Sequence, residues 1–168
     1  MTMKRLRKLL PMLMLCLILA ACGGGGGAEI TPAADVTAAQ AAQAVWNSQP
    51  DREGLEALEG DGLSGHLADF CGLEDWEEGA VYAASGVDAR EIAVLCPAVE
   101  DGLEGLCAAL EAYRRTRAGD FFGYAPAQSA LLENAAVVTG GGYAALLVCQ
   151  DLQAAKDAFA ACIEEAAV

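Results

Sequence analysis

The chain predicts an α+β fold: an antiparallel four-stranded sheet made from a repeated β-β-α unit with its helices on one face, preceded by two short N-terminal helices. Three observations lead there. Apolar strand pairs at 80–96 and 135–150 are each joined by a glycine-containing turn. Each pair is followed by an amphipathic helix, and corresponding positions lie about 53 to 55 residues apart, Cys96 matching Cys149 and Cys107 matching Cys162. Four short strands and two one-sided helices pack most simply as one sheet under one helical layer.

The elements follow in order. Thr37-Ala38-Ala39-Gln40 has the form of a capping box, so a helix starts there and ends before Asn47-Ser48-Gln49-Pro50. Residues 51–62 are acidic and punctuated by glycine, which reads as a loop. A short second helix carries Leu63, Leu67, Phe70 and Cys71 on one face and stops at Gly72. Strands 80–85 and 91–96 then turn around Gly86-Val87-Asp88.

A long helix over 99–117 is expected next, with Val99, Leu103, Leu106, Cys107, Leu110 and Tyr113 as its stripe. Glu100 and Asp101 suit its first turn, Arg114, Arg115 and Arg117 its last, and Gly119 its C-cap. An aromatic loop, Phe121-Phe122-Gly123-Tyr124, and a helical turn over 126–134 lead to the second unit. That unit has strand 135–139, turn Gly140-Gly141-Gly142, strand 143–150, and a helix from Leu152 capped by Asp151. Its stripe is Leu152, Ala155, Phe159, Cys162 and Ile163.

The N-terminus carries an address. Lys4, Arg5, Arg7 and Lys8 precede an apolar run over 9–21, which is followed by Cys22 and five glycines. That is a charged n-region, an h-region and a small-residue cleavage site. The run is about 13 residues, whereas a membrane-crossing helix needs roughly 20, so the segment targets and does not span. Leu19-Ala20-Ala21-Cys22 resembles the lipobox of bacterial lipoproteins, which implies cleavage before Cys22 and lipid on its thiol. Residues 1–21 are therefore expected to be a signal peptide, 22–35 a flexible glycine-rich tether, and 36–168 a single globular domain. Two acyl chains on Cys22 give stable anchoring. The location implied is the extracytoplasmic face of the cell membrane.

Removing four of the 10 Lys and Arg leaves six against 24 Asp and Glu, a formal charge of −18. Such a surface repels nucleic acid and anionic lipid, both of which need clustered cations. The membrane is thus a partner only through the lipid on Cys22. No nucleic-acid partner is expected, the protein or cell-envelope partner is unknown, and the chain is expected to be a monomer.

Beyond Cys22 stand Cys71, Cys96, Cys107, Cys149 and Cys162, an odd number without a C-x-x-C pair. All five fall on apolar faces, so they read as small buried hydrophobes, reduced and not needed for function. A redox or metal role and a disulfide are the alternatives.

Ser85-Gly86-Val87 with 89–94, Tyr124-Ala125-Pro126, Leu131-Leu132-Glu133-Asn134-Ala135, Gly142-Tyr143 and 151–159 occur in an order that resembles the domain-of-unknown-function family numbered 4358. Its members are small lipoproteins, mainly of Gram-positive anaerobes, and the resemblance spans roughly 55–162. It implies fold and location. The family has no assigned activity, so it implies no chemistry.

Catalysis by acid, base or nucleophile needs side chains held within hydrogen-bond reach. The expected domain has one histidine, His66, and one lysine, Lys156. His66 borders an apolar stripe and reads as structural or exposed; Lys156 reads as solvated. Glu74-Asp75-Trp76-Glu77-Glu78 and the acids of 51–61 lack EF-hand spacing and read as solvated faces. Phe121, Phe122 and Tyr124 either close the core or stand exposed to a partner. No catalytic residue, cofactor site or metal site is assigned, and no enzyme activity is expected.

The favoured function is a membrane-anchored surface lipoprotein acting as a non-enzymatic binding or interaction module. The alternative is a hydrolase or redox accessory protein using carboxylates or cysteines. The first predicts no convergent polar cleft; the second needs a pocket where acids or thiols meet.

Overall fold

A computed structural model describes residues 36–165. The expected signal peptide, the tether and Cys22 lie outside the described residues. In chain order the elements are α1 (Ala38–Ser48), β1 (Leu55–Ala57), α2 (Gly60–Asp69), β2 (Trp76–Ala84), β3 (Glu91–Pro97), α3 (Leu103–Phe122), α4 (Pro126–Asn134), β4 (Ala136–Gly140), β5 (Tyr143–Val148) and α5 (Leu152–Glu165). The sheet order is β1-β2-β3-β5-β4, with every neighbouring pair antiparallel. None of the described helices is long and apolar enough to cross a membrane.

The sheet has five strands where four were expected. The extra strand, β1, lies inside the segment read as a loop. Leu55 buries against one face of the sheet, and β1 pairs with the end of β2 through Leu55↔Ala84 to Ala57↔Tyr82. Three residues are too few for period-2 alternation to stand out among the surrounding acids and glycines. Arg90 secures the segment, contacting Asp51, the carbonyl of Glu53 and both oxygens of Asp88. Burial works against the Asp88 carboxylate, but the bonds from Arg90 outweigh it and hold its pKa below the ordinary value.

The helices lie on both faces of the sheet, not one. Ile92, Val94 and Cys96 of β3, with Tyr143, Ala145 and Leu147 of β5, pack with α1 and α5. Ala93 and Leu95, with Ala144, Leu146 and Val148, pack with α2, α3 and α4. The physical reason is in the strands themselves. Residues 92–95 of β3 and all of β5 are continuous apolar runs, buried on both sides, and two buried faces require two helical layers. The β-β-α repeat of the sequence is thus a repeat of pattern; its two helices end on opposite faces.

Helix α3 starts at Leu103, after Val99, Glu100 and Asp101 that were expected to open it, and continues to Phe122, past the expected end at Arg117 and the expected cap at Gly119; the acid in its first turn is Glu104. Leu106, Leu110, Tyr113 and Phe121 share its buried stripe, and burial of the last turn carries the helix through an exposed glycine. The three arginines are therefore mid-helix residues. Arg114 donates to the carbonyls of Leu132 and Glu133, capping the end of α4 instead of its own helix. The turn expected over 126–134 is the nine-residue helix α4, begun by Pro126 in its first turn.

Other local expectations match. Thr37 and Gln40 form the capping box on α1, and the Asp151 side chain accepts from the Ala154 N–H at the start of α5. Gly141 and Gly142 both have positive φ, 56° and 84°, the requirement of a two-residue type I′ hairpin. A second polar tie holds α1 to the sheet: Glu78 accepts from the Ala38 N–H at 2.8 Å and lies 2.9 Å from the Tyr143 hydroxyl. A carboxylate at a helix N-terminus is favoured by the helix dipole.

Candidate functional site

Glu91 is the first residue of β3, in register with Ala93 and Leu95 on the α3 face of the sheet. Its side chain is completely buried. A buried carboxylate must be paired and hydrogen-bonded to persist, and three side chains meet that need. His66 Nε2 lies 3.0 Å from Oε1. The Tyr113 hydroxyl donates to Oε2 at 2.7 Å, and Arg117 donates to the same oxygen at 2.5 Å. Tyr113 and Arg117 are one helical turn apart on α3, which brings the guanidinium 5.7 Å from the Tyr113 ring and 5.8 Å from that of Phe121.

Burial, reinforced by the Glu91 charge, pushes the Tyr113 phenol pKa well above its ordinary value. Tyr113 therefore stays a donor through the physiological range. His66 uses only Nε2; Nδ1 has no hydrogen bond to any described residue. Its ring lies edge-on to Tyr113 and tilted against Phe70.

A cavity of about 630 Å³ opens over this network. Leu58, Phe70, Phe121 and Tyr124 give it apolar and aromatic walls, His66, Tyr113 and Arg117 also line it, and Glu56, Asp69 and Asp120 are its exposed acidic residues. Polar groups therefore converge beside this cavity, but His66, Tyr113 and Arg117 are all paired with one buried carboxylate. His66, Glu91 and Arg117 are separated by 25 and 26 residues in sequence, so no local spacing announces them. Two signals existed: an acid opening an apolar strand on its inward face, and Arg117 at i+4 from Tyr113 on the buried stripe.

Cys71 adjoins the same group. Single donor atoms of His66, Cys71 and Glu91 all lie within 4.8 Å of one another. Burial first, then repulsion from Glu91, pushes the Cys71 thiol up to about 12. Cys149 is also pushed up to about 12 by burial, and burial raises Cys96 and Cys107. No disulfide joins Cys71, Cys96, Cys107 and Cys149. Cys71, Cys96 and Cys149 are buried as expected, whereas Cys107 and Cys162 are only half-buried, because each sits at the margin of its helix stripe.

The remaining sequence candidates disperse. Lys156 is half-buried on α5 and is not among the cavity residues. Glu78 serves the α1 terminus, and Glu74, Asp75 and Glu77 are exposed. The aromatic loop divides: Phe121 belongs to the core on α3, while Phe122 and Tyr124 are 74% and 65% exposed.

No curated protein and no solved structure matches the chain. Residues 65–149, half of the chain, match the family described as a domain of unknown function (DUF4358). The match is narrower than the 55–162 span suggested by the sequence, yet it contains His66, Cys71, Glu91, Tyr113 and Arg117. The chain belongs to the DUF4358 family.

Proposed function

We propose that this protein is a membrane-anchored surface lipoprotein whose domain is a non-enzymatic binding module, taking a small ligand with an apolar body and a cationic tip in the cavity above Glu91. The observation that carries this reading is the cavity's combination of paired polar groups with exposed acids. Both oxygens of Glu91 are engaged and Arg117 is neutralised by it. Among the described residues, the cavity-lining charges with no ion-pair partner are the acids Glu56, Asp69 and Asp120. Aromatic walls supply apolar contact, and about 630 Å³ is the volume of a small-molecule site. Leu19-Ala20-Ala21-Cys22 and the glycines that follow support the anchor.

Two measurements test it. In calorimetric titration of the metal-free protein, 1-naphthylmethylamine should bind at least tenfold more tightly than 1-naphthoate, and Thr116→Trp, at an exposed cavity position, should abolish the difference. Equal binding of the two probes, or insensitivity to Thr116→Trp, would overturn the site. Labelling with an alkynyl fatty acid should vanish in Cys22→Ala; labelling that persists would overturn the anchor.

The meeting of His66, Glu91 and Cys71 favours a second reading, a hydrolase or redox accessory protein. It is the weaker one. A thiol pushed up to about 12 holds little thiolate at neutral pH, and His66 has no hydroxyl nucleophile bonded to it. Hydrolysis of p-nitrophenyl acetate lost in His66→Gln would reverse that order.

A further inference from the structure

We propose that His66, Cys71 and Glu91 form a three-ligand zinc site beside the cavity, with His66 the ligand that also lines it. The three donors come from separate places in the fold: the imidazole from α2, the thiol from just after the C-terminus of α2, and the carboxylate from the start of β3. Their ligand atoms lie within 4.8 Å of one another. Zinc bonds of about 2.0 to 2.3 Å would place these tetrahedral ligands at roughly 3.3 to 3.6 Å, so closing the site needs only small side-chain movements. The mixed nitrogen, sulfur and oxygen set suits Zn²⁺, whereas Ca²⁺ and Mg²⁺ take oxygen ligands.

The surroundings are arranged as a metal site requires. Ligating carboxylates are held by outer hydrogen bonds that fix their orientation. Tyr113 and Arg117 both bind Oε2 of Glu91, leaving Oε1 directed at His66. To ligate through Nε2, His66 must carry its proton on Nδ1. That nitrogen is bonded to no described residue, so the change of tautomer breaks no other protein contact. Cys71 binds as thiolate and releases one proton to solvent for each ion taken up. The resulting charge, two from zinc and one from Arg117 against one each from Glu91 and Cys71, leaves a single positive charge beside the cavity's acids. Three protein ligands leave a fourth position for water or a ligand atom. Cys71 thereby acquires a role that its placement on an apolar stripe does not suggest.

The test uses the full chain, stripped of metal with a chelator and titrated with Co²⁺ or Zn²⁺ alone, so it does not depend on what fills the cavity. One equivalent of Co²⁺ should bind and give a thiolate-to-cobalt charge-transfer band, and Zn²⁺ should displace it. Cys71→Ser should lose the band while keeping the wild-type circular dichroism spectrum. His66→Gln should weaken binding at least tenfold, and Tyr113→Phe, which leaves all three ligands in place, by about 10 to 100-fold. A wild-type protein that retains no zinc through gel filtration at micromolar concentration, or a band undiminished in Cys71→Ser, would overturn the site. Failure here would leave the naphthylmethylamine comparison, run in chelator, free to succeed or fail separately.

Discussion

Replacing Arg117 by methionine keeps most of the side chain's length and apolar stem while removing the cation from Glu91. The carboxylate it would strand is completely buried, and the Arg117 side chain is itself only 19% exposed. Breaking such a pair by deleting one partner costs about 3 to 5 kcal/mol, because an uncompensated charge is left inside. Two bonds would persist, from Tyr113 at 2.7 Å and His66 at 3.0 Å, and the adjoining cavity admits water, which places the loss near the lower end, about 3 kcal/mol. That is more than a hundredfold in the folding equilibrium and about 10 °C in melting temperature for a domain of this size. Urea denaturation followed by circular dichroism measures it. Arg115→Met is the control: that side chain is 73% exposed and 3.7 Å from Glu111, so its loss should fall within about 0.5 kcal/mol. Tyr113→Phe should cost about 1.5 to 3 kcal/mol as the loss of a bond to a charged group, and the double variant should depart from additivity. An Arg117→Met protein as stable as Arg115→Met would refute the claim that Glu91 depends on its cation.

Three further outcomes are expected. Cys71 and Cys149 should resist a maleimide reagent in the metal-free native protein at pH 7 and react after denaturation; fast native labelling of either would contradict their burial. Both thiols have folded pKa values raised to about 12 from an ordinary 9.0, so their contribution to stability is fully present below pH 9 and is lost as pH rises toward 12, by at most about 1.4 kcal/mol per pH unit for each group. A urea midpoint that stayed flat or rose across that window would be the wrong sign. Gly79→Ala should destabilise by about 1 to 3 kcal/mol, since its Cβ would lie 2.6 Å from Leu95 Cδ2, whereas Gly119→Ala, in open space on α3, should stabilise by up to about 1 kcal/mol; equal effects in a thermal melt would show that crowding at Gly79 is relieved.

Much of the local structure is legible in the chain because its causes are local. The Thr37 capping box, the Asp151 cap and the two-glycine hairpin at 141–142 each depend on residues within four positions of one another. Leu106, Leu110 and Tyr113 of α3 and Ala155, Phe159 and Ile163 of α5 are buried as their stripes indicate, whereas Val99 lies before α3 and is 65% exposed; membership of the DUF4358 family rests on sequence order alone. The acidic composition, 24 Asp and Glu against 10 Lys and Arg, is likewise a property of the chain itself and is read without reference to fold.

Tertiary structure decided what depends on neighbours distant in sequence. Strand β1 exists because β2 offers it an edge and Arg90 holds its approach, and neither is visible in three residues of sequence. The placement of helices on both faces follows from β3 and β5 being central strands, which only the sheet order establishes. Helix α3 runs on to Phe122 because Phe121 finds a core to enter. The site is the extreme case: His66 and Cys71 on one side, Glu91 on a strand, Tyr113 and Arg117 on a helix are ordinary residues until the sheet and α3 close over a fully buried carboxylate. Burial turned Glu91 from a surface-type residue into a charge that must be paired, and that requirement gathered the other side chains around it.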